Sequence, residues 1–452
     1  MKAMTILVFN SGSSSLKFSF FRMESSLFDE DIDPESFTET LLNESAPTET
    51  FQLKTLLEGE IELLAKHKDQ HNFYVKDASN VTIHAAAIST ANHTDAVLHI
   101  IRYIASFDTP TPHAIAHRVV HGGPNLRQHC FINDKVVREL ATMSAFAPLH
   151  NKAALEIIQY TRLTFPTLPQ IACFDTTFHA HIPDVARVLP IAKELQLLGI
   201  QRYGFHGLSC ESILAQLTKA THLRTPKRLI IAHLGNGASV TAIKNGQSVD
   251  TSMGLTPTGG VMMGSRCGDI DPGVLIYLIR EKNYDVNAIE ALINHQSGLL
   301  GVSGLSGDMR ILHDAAATNP NAKLALEMFC YSVAKQIGAM VAALNGIDAL
   351  VFTGGIGEHD AMVRQLICDQ LAYLKIILSD EKNNSVIADN IHTISDANTA
   401  IAVRVIESQE NAQIARHAAQ LLDMDSIIES PMLQAPLTGN EDDDYVRQRT
   451  FK

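Results

Sequence analysis

Residues Ile6 to Phe21 read ILVFNSGSSSLKFSFF: two apolar runs broken by one asparagine, one glycine and four serines, with Lys17 just beyond. Apolar runs of this length around a small polar turn predict two strands of a hairpin. A turn alone would explain that much. Four hydroxyls and a lysine at one turn also provide donors for an anion, because small residues let backbone N–H groups come close to it. Leu229 to Gly246, LIIAHLGNGASVTAIKNG, repeats the plan with strand, small-residue turn and return strand, and then an Asn245-Gly246 hairpin signal ahead of QSVDTSMG. Two similar openings predict two similar halves.

The rest of the chain sets the bounds. A length of 452 residues is long for one core, which predicts two domains. Lys plus Arg total 36 against 49 Asp plus Glu, a formal charge of -13, so a duplex-binding basic surface is not expected. Local groups must then meet any anionic ligand. Six dispersed cysteines without a CxxC pair point to neither a zinc knuckle nor a disulfide framework and fit a reducing cytoplasm. The start, Met1 to Phe9, lacks the apolar core and cleavage-like ending of a signal peptide, and no apolar stretch is expected to span a membrane; even Ile337 to Leu344 stops at Asn345-Gly346. A soluble protein is expected.

Strands and helices alternate along most of the chain, which predicts a layered α/β protein. From Asp348 to Leu374 the order is strand (ALVFT), Gly-rich loop (GGIGE) and helix. Ahead of it Leu326, Phe329, Cys330, Val333, Ile337, Met340, Val341 and Leu344 recur at helical spacing, and core packing accounts for that stripe. Pro320 suits the first turn of this helix and Gly346 its end. Glu24 to Glu39 holds seven acidic residues and no Lys or Arg, which predicts a solvated loop, and the chain from about Pro431 reads as a tail.

No P-loop, HExxH or GxSxG pattern occurs. Phosphate would have to meet other turns: Asn10 to Ser15, Gly235 to Ser239, or Gly354 to Gly357. Each follows an apolar strand. Arg118 in HRVVHGG and Arg266 in GSRCGDIDP stand beside glycines, where a planar fork can reach carboxylate or phosphate oxygens. On spacing alone a surface arginine closing a salt bridge explains either one. His179 and His181 precede Pro183 too closely for a shared strand face, and no cysteine or carboxylate stands at zinc spacing, so zinc is not expected. His206 in RYGFHG suits a hydrogen-bond donor, although a packed core histidine explains it too. Asp175 in ACFDTTFH and Glu410 in VIESQEN follow apolar strands, where a carboxylate can hold magnesium or orient an arginine, or serve as an N-cap.

Taken together, NSGSSSLK, HRVVHGG, APLHN, FDTTFH, RYGFHG, HLGNGAS, GSRCGDIDP, SGLLGVSGLSGDMR and FTGGIGE resemble the acetate kinase family, within the acetate and sugar kinase, chaperone ATPase and actin superfamily. They stand in family order over roughly Met4 to Leu421. The resemblance implies a duplicated actin-like (ribonuclease H-like) ATPase fold with the active site in a cleft between two domains, residues 1–177 plus 413–452 and residues 178–412. It implies Mg2+, or Mn2+, held by Asn10 and Glu410, and ATP or ADP met by Lys17, Ser13, Ser15, His233, Asn236, Gly237, Asp308, Met309, Arg310, Gly354, Gly355 and Gly357. Arg118, Arg266, His206, Asp175 and His150 would carry catalysis, and Arg118, Val120, Leu149 and Pro257 would hold the acyl substrate.

The implied reaction is reversible, direct in-line phosphoryl transfer between ATP and acetate, giving acetyl phosphate and ADP, in a cytoplasmic homodimer that binds neither nucleic acid nor membrane. Several stretches depart from the family pattern. Glu24 to about Lys54 looks inserted, the tail past Leu421 is long, Thr258-Gly259 replaces a more common Leu-Glu pair beside the acyl pocket, and ESQEN around Glu410 is unusual. Two other readings stay open: a propionate kinase of the same family, and a non-catalytic nucleotide switch on an actin-like fold.

Overall fold

The computed structural model describes residues 3–12, 15–25, 51–62, 71–90, 92–107, 109–143, 148–220, 225–386 and 391–422. Ser13, most of the acidic segment and the C-terminal tail lie outside them, as do the side chains of Leu149 and His150. Two sheets share one plan. In the first, β1 (Ala3–Ser11) and β2 (Ser15–Ser25) form the expected hairpin with Asn10 opposite Lys17. On one side β3 (Phe51–Glu62), β4 (His71–Asp77) and β5 (Thr82–Ile88) extend it, and on the other β6 (Ala114–Val119), β8 (Gln170–Phe174) and the short β7 (Cys130–Phe131).

The second sheet holds β9 (Arg228–Leu234), β10 (Ala238–Lys244), β11 (Gln247–Thr251), β12 (Ala349–Thr353), β13 (His392–Thr393) and β14 (Ala402–Val405). The cores run β3-β2-β1-β6-β8 and β11-β10-β9-β12-β14. Each is an antiparallel meander on one side of its first strand and a parallel pair on the other, the parallel strands being β1, β6 and β8, and β9, β12 and β14. Parallel neighbours need long crossovers, and helices supply them. The Asn245-Gly246 turn has both residues at positive φ, 51° and 81°, as a two-residue hairpin joining right-twisted strands requires.

Alternation decides what each strand buries. Ile6 and Val8 face a cluster with Ile414, Ala415 and Ala418 of the helix Glu410–Leu421, while Leu7 and Phe9 face Ile100 and Ile157 of the helices His93–Ala105 and Pro148–Thr164. In the second sheet Ile230, Ala232 and Leu234 pack under the helix Pro320–Leu344, and Leu229 and Ile231 meet Ile213 and Leu217 of the helix Gly207–Lys219. Leu208 of that last helix packs with the first sheet, so the helix lies between the two sheets.

Local expectations met three corrections. The helix Pro320–Leu344 has Pro320 at its start and Gly346 just past its end, yet its 25 residues are long and apolar enough to cross a membrane by length and composition, contrary to the expectation that no stretch is. Leu326, Phe329, Cys330, Val333 and Ile337 are nevertheless buried against the second sheet. The Gly-rich run after β12 is a helix, Gly354–His359, because Gly354 takes the turn at φ 77° and the Glu358 carboxylate accepts the Gly354 N–H at 2.7 Å. The acidic segment does not begin as a loop: Glu24 pairs with Gln52 in the ladder between β2 and β3, and the rest of Glu24 to Glu39 beyond Ser25 lies outside the described residues.

Candidate active site

Parallel pairing sets Phe9 beside His117 and Arg118 beside Cys173, so Asn10, Arg118 and Asp175 gather at the ends of β1, β6 and β8. Carboxyl ends of parallel strands are where open α/β sheets present ligand-facing groups. Arg118 is the hub. Its Nε donates to both Asp175 oxygens at 3.0 and 3.1 Å, and its Nη2 donates to Asp175 Oδ2 at 2.5 Å. Its Nη1 donates to Asn10 Oδ1 at 3.1 Å and lies 3.8 Å from Glu410 Oε2. Asn10 Nδ2 donates in turn to Glu410 Oε2 at 3.1 Å and to Asn411 Oδ1 at 2.9 Å. Residues four hundred apart in sequence thus meet because the helix Glu410–Leu421 returns to the first sheet.

The two carboxylates are pushed apart. Burial raises Asp175 to about 6 against the pull of Arg118, whereas at Glu410 Arg118, His233 and Asn10 together outweigh burial and hold it below the ordinary carboxylate range. Glu410 therefore stays charged. Asp175 caps no helix, so the N-cap reading is set aside in favour of the arginine pair; Thr176 precedes the short helical turn Thr177–His179 instead.

Across from this hub His206 occupies the left-handed region at φ 58°, a strained position for a histidine at the start of the helix Gly207–Lys219. Its ring stacks on His233 at 4.1 Å and 23°. Its Nδ1 sits 3.0 Å from the Ser239 hydroxyl, and when that hydroxyl donates to Nδ1 the neutral ring carries its proton on Nε2. A methyl group placed on Gly237 would lie 3.4 Å from His206 Nε2 and 3.5 Å from Arg266 Nη1, so that glycine marks the point where both donors converge. Burial, His233, Arg118 and Arg266 all press His206 well below its usual range, which keeps it a neutral donor. Arg266 is 8% exposed, donates to the Pro257 carbonyl at 3.1 Å, and is lowered to about 10 by burial and by Arg118. Two cations lie near enough for one to act on the other.

The remaining groups surround this centre. Val120 is buried with Met253, Val261 and Met263 in the second half's core. Lys17 is exposed, on the strand opposite Asn10, and its charge acts on both Glu410 and His233. Ser15 is buried. Gly354 needs its positive φ, since a Cβ would approach the Leu234 carbonyl to 2.8 Å, and this brings Gly355, open above its Cα, next to the Gly235 turn. Asn236 lies beneath Gly264, where a Cβ would meet its Oδ1 at 2.6 Å. Asp308 caps the helix Met309–Ala315 and pairs with the exposed Arg310 at 2.7 Å, whereas Met309 is buried in the core.

Sequence reading passed over several polar residues that build this frame. Asn151 clamps the main chain of His121 from both sides, at 3.2 and 2.9 Å, and Ser209 joins His233 Nδ1 at 2.9 Å. His179, by contrast, is a satisfied core histidine, bonded to Ser248 and to the Phe205 carbonyl. His129, Glu211 and His417, from three distant segments, offer ligand atoms within 4.8 Å of one another, a grouping that spacing rules did not foresee. Their hydrogen bonds do not suit a cation. His129 Nδ1 accepts the Phe174 N–H at 3.1 Å, which leaves the proton on Nε2, and His417 is already bonded to Glu211 at 2.6 Å.

The sequence model of the acetokinase family matches residues 5–416. This chain belongs to the acetokinase family. An acetate kinase of Rhodopseudomonas palustris is 38% identical over 421 residues, covering 92% of this chain and 98% of the relative. Among solved structures, a propionate kinase from Francisella tularensis superposes with a TM-score of 0.76 at 34% identity, covering 92% of this chain and 98% of that one. An acetate kinase of Porphyromonas gingivalis gives 0.74 at 31%, covering 93% and 100%. Acetokinases are phosphotransferases with a carboxyl acceptor, and ATP and ADP are their nucleotides. The two sheets are accordingly the repeated halves of an actin-like ATPase fold, and membership of an enzyme family leaves the non-catalytic switch without support.

Proposed function

We propose that this chain catalyses reversible, magnesium-dependent transfer of a phosphoryl group between ATP and acetate, giving acetyl phosphate and ADP by direct in-line attack. The observation that carries the reading is the convergence of buried Arg266 and neutral His206 on Gly237, with Arg118 held by Asp175 close enough to lower them both. Short carboxylic acids titrate near pH ~4–5, as Asp and Glu do, so acetate is already the nucleophile at neutral pH. No general base is required. The barrier is repulsion between a carboxylate and a triphosphate, which aimed cations and donors in a dry cleft reduce.

Arg118, with Val120, Leu149 and Pro257, would hold the acyl substrate, and Arg266 and His206 would donate to the moving phosphoryl oxygens, with His150 in support. Lys17, Ser13, Ser15, His233, Asn236 and Gly237 would line the phosphate path. Asp308, Met309, Arg310 and the Gly354, Gly355 and Gly357 turn would bound the nucleoside. Asp175 would position Arg118 without taking a proton. Asn10 Oδ1 and Glu410 Oε2 converge on one cationic nitrogen, and their hard oxygens suit magnesium. Magnesium bound there would neutralise charge on the β- and γ-phosphates.

The test is acyl phosphate trapped as hydroxamate from ATP with acetate, propionate or butyrate. Acetate and magnesium should give product, chelation should abolish it, and no product from any acid would overturn the reading. The likeness to the Francisella tularensis propionate kinase supports a second reading, since one methylene is worth only about 1 kcal/mol in an apolar pocket. A higher kcat/KM for propionate than for acetate would decide for it.

The proposal extends to a cytoplasmic homodimer of two-domain subunits. Residues 1–177 plus 413–452 and residues 178–412 as the two bodies are supported by the two sheets, and the second border falls in the first turn of the helix Glu410–Leu421. The cysteines among the described residues are free thiols, in keeping with a reducing compartment. The dimer is supported by the helix Pro272–Lys282, which buries no residue within the subunit and leaves Ile276 and Tyr277 half exposed. Sedimentation should report a dimer for the native chain and a monomer for Tyr277→Glu; a native monomer removes this part of the proposal.

A further inference from the structure

We infer that Glu358 is a positioning residue that couples the nucleotide turn to the segment carrying Glu410. One oxygen does the joining. Glu358 Oε1 accepts the Gly354 N–H at 2.7 Å, the Thr353 hydroxyl at 3.2 Å and the Ser408 N–H at 3.0 Å. Gly354 opens the turn read above as bounding the nucleoside, and Ser408 stands two residues before Glu410. The same carboxylate therefore holds both the strand end that meets nucleotide and the approach to the carboxylate assigned to magnesium.

The link continues into the cleft. The Ser408 hydroxyl donates to Ser209 Oγ at 2.9 Å, Ser209 bonds His233 Nδ1 at 2.9 Å, and His233 stacks on His206. Gln409 N donates to Ser212 Oγ at 3.1 Å, which fastens the next residue to the same helix as Ser209. Backbone N–H groups bonded to an ionised oxygen are held more firmly than by a neutral acceptor. A shift of the Gly354 turn on nucleotide binding is thus transmitted through Glu358 to the position of Glu410, and the reverse holds by thermodynamic reciprocity. On the other side Arg364 fixes the helix Gly354–His359 by donating to the Gly357 and Glu358 carbonyls at 3.0 and 2.9 Å, so the carboxylate has a firm base.

This inference rests on the site reading above, and its test separates the two. ADP affinity is measured by calorimetry across a magnesium series for the native chain, Glu358→Ala and Glu358→Gln, alongside kcat and the KM for acetate. Glu358→Ala should weaken ADP binding and raise the magnesium concentration needed for half-maximal binding together, each by about ten- to a hundredfold, while the acetate KM moves less than about twofold. Glu358→Gln keeps an acceptor oxygen without the charge and should move both by about threefold; it carries the test if the alanine variant does not fold. ADP affinity that falls with an unchanged magnesium requirement, an acetate KM that rises in step, or no change in either variant overturns the inference. A native chain that makes no acyl phosphate sinks the proposed function instead, and the binding series still decides the role of Glu358.

Discussion

Replacing Arg266 by methionine should lower kcat by about a thousandfold while leaving the fold at least as stable as the native one. An arginine aimed at a phosphoryl group in flight is worth about a thousandfold or more in transfer enzymes. Arg266 is buried, its charge is opposed by burial and by Arg118, and methionine refills most of its volume, so relief of that charge offsets the lost hydrogen bond to the Pro257 carbonyl. Steady-state hydroxamate formation and urea denaturation, run on the same preparation, check both halves. Turnover within a few-fold of native would remove Arg266 from the reaction, and a collapse in stability would show that its role is structural.

Asp175→Ala should act in the opposite sense on stability. It strips the partly buried Arg118 guanidinium of its buried bidentate partner, and breaking one side of a buried pair typically costs about 3–5 kcal/mol. Among the described residues Arg118 would keep Asn10 and Glu410, so kcat should fall as well, by about a hundredfold. The double variant Arg118→Ala/Asp175→Ala should be more stable than Asp175→Ala alone, because the stranded charge has gone with its partner. Equal stability of the single and double variants would mean that the pair does not interact as drawn. Asp175→Asn keeps the shape and one acceptor but removes the carboxylate that is raised to about 6, so the fall in native kcat as pH drops through that range and Arg118 loses its charged partner should flatten in the variant's pH–rate profile.

Legibility in the sequence followed how local the determining physics was. The two hairpins, the Asn245-Gly246 turn and the helix Pro320–Leu344 were readable, because turn chemistry and periodicity act over a few residues. The Gly354 run was misread as a loop. Its first N–H is taken up by the Glu358 side chain, which also accepts from Ser408 fifty residues on.

Composition made a basic duplex-binding surface unexpected, and the motifs in order named the family and the residue types of the site. What they could not supply was which partner each charge would find. Asp175 read equally well as a helix cap, and Arg118 as a surface arginine; their pairing needed β6 to lie beside β8. Glu410 reached Asn10 only because the last helix packs its alanine-rich face on the first sheet.

The sequence by itself determined the strands, the turns and the chemical inventory, since propensity and spacing are written into neighbouring residues. Tertiary structure alone decided that His206 and Arg266 converge on Gly237 within reach of the Arg118 charge, which presses the pKa of both downward. Fields and burial depend on distances through space, and only the folded chain sets those.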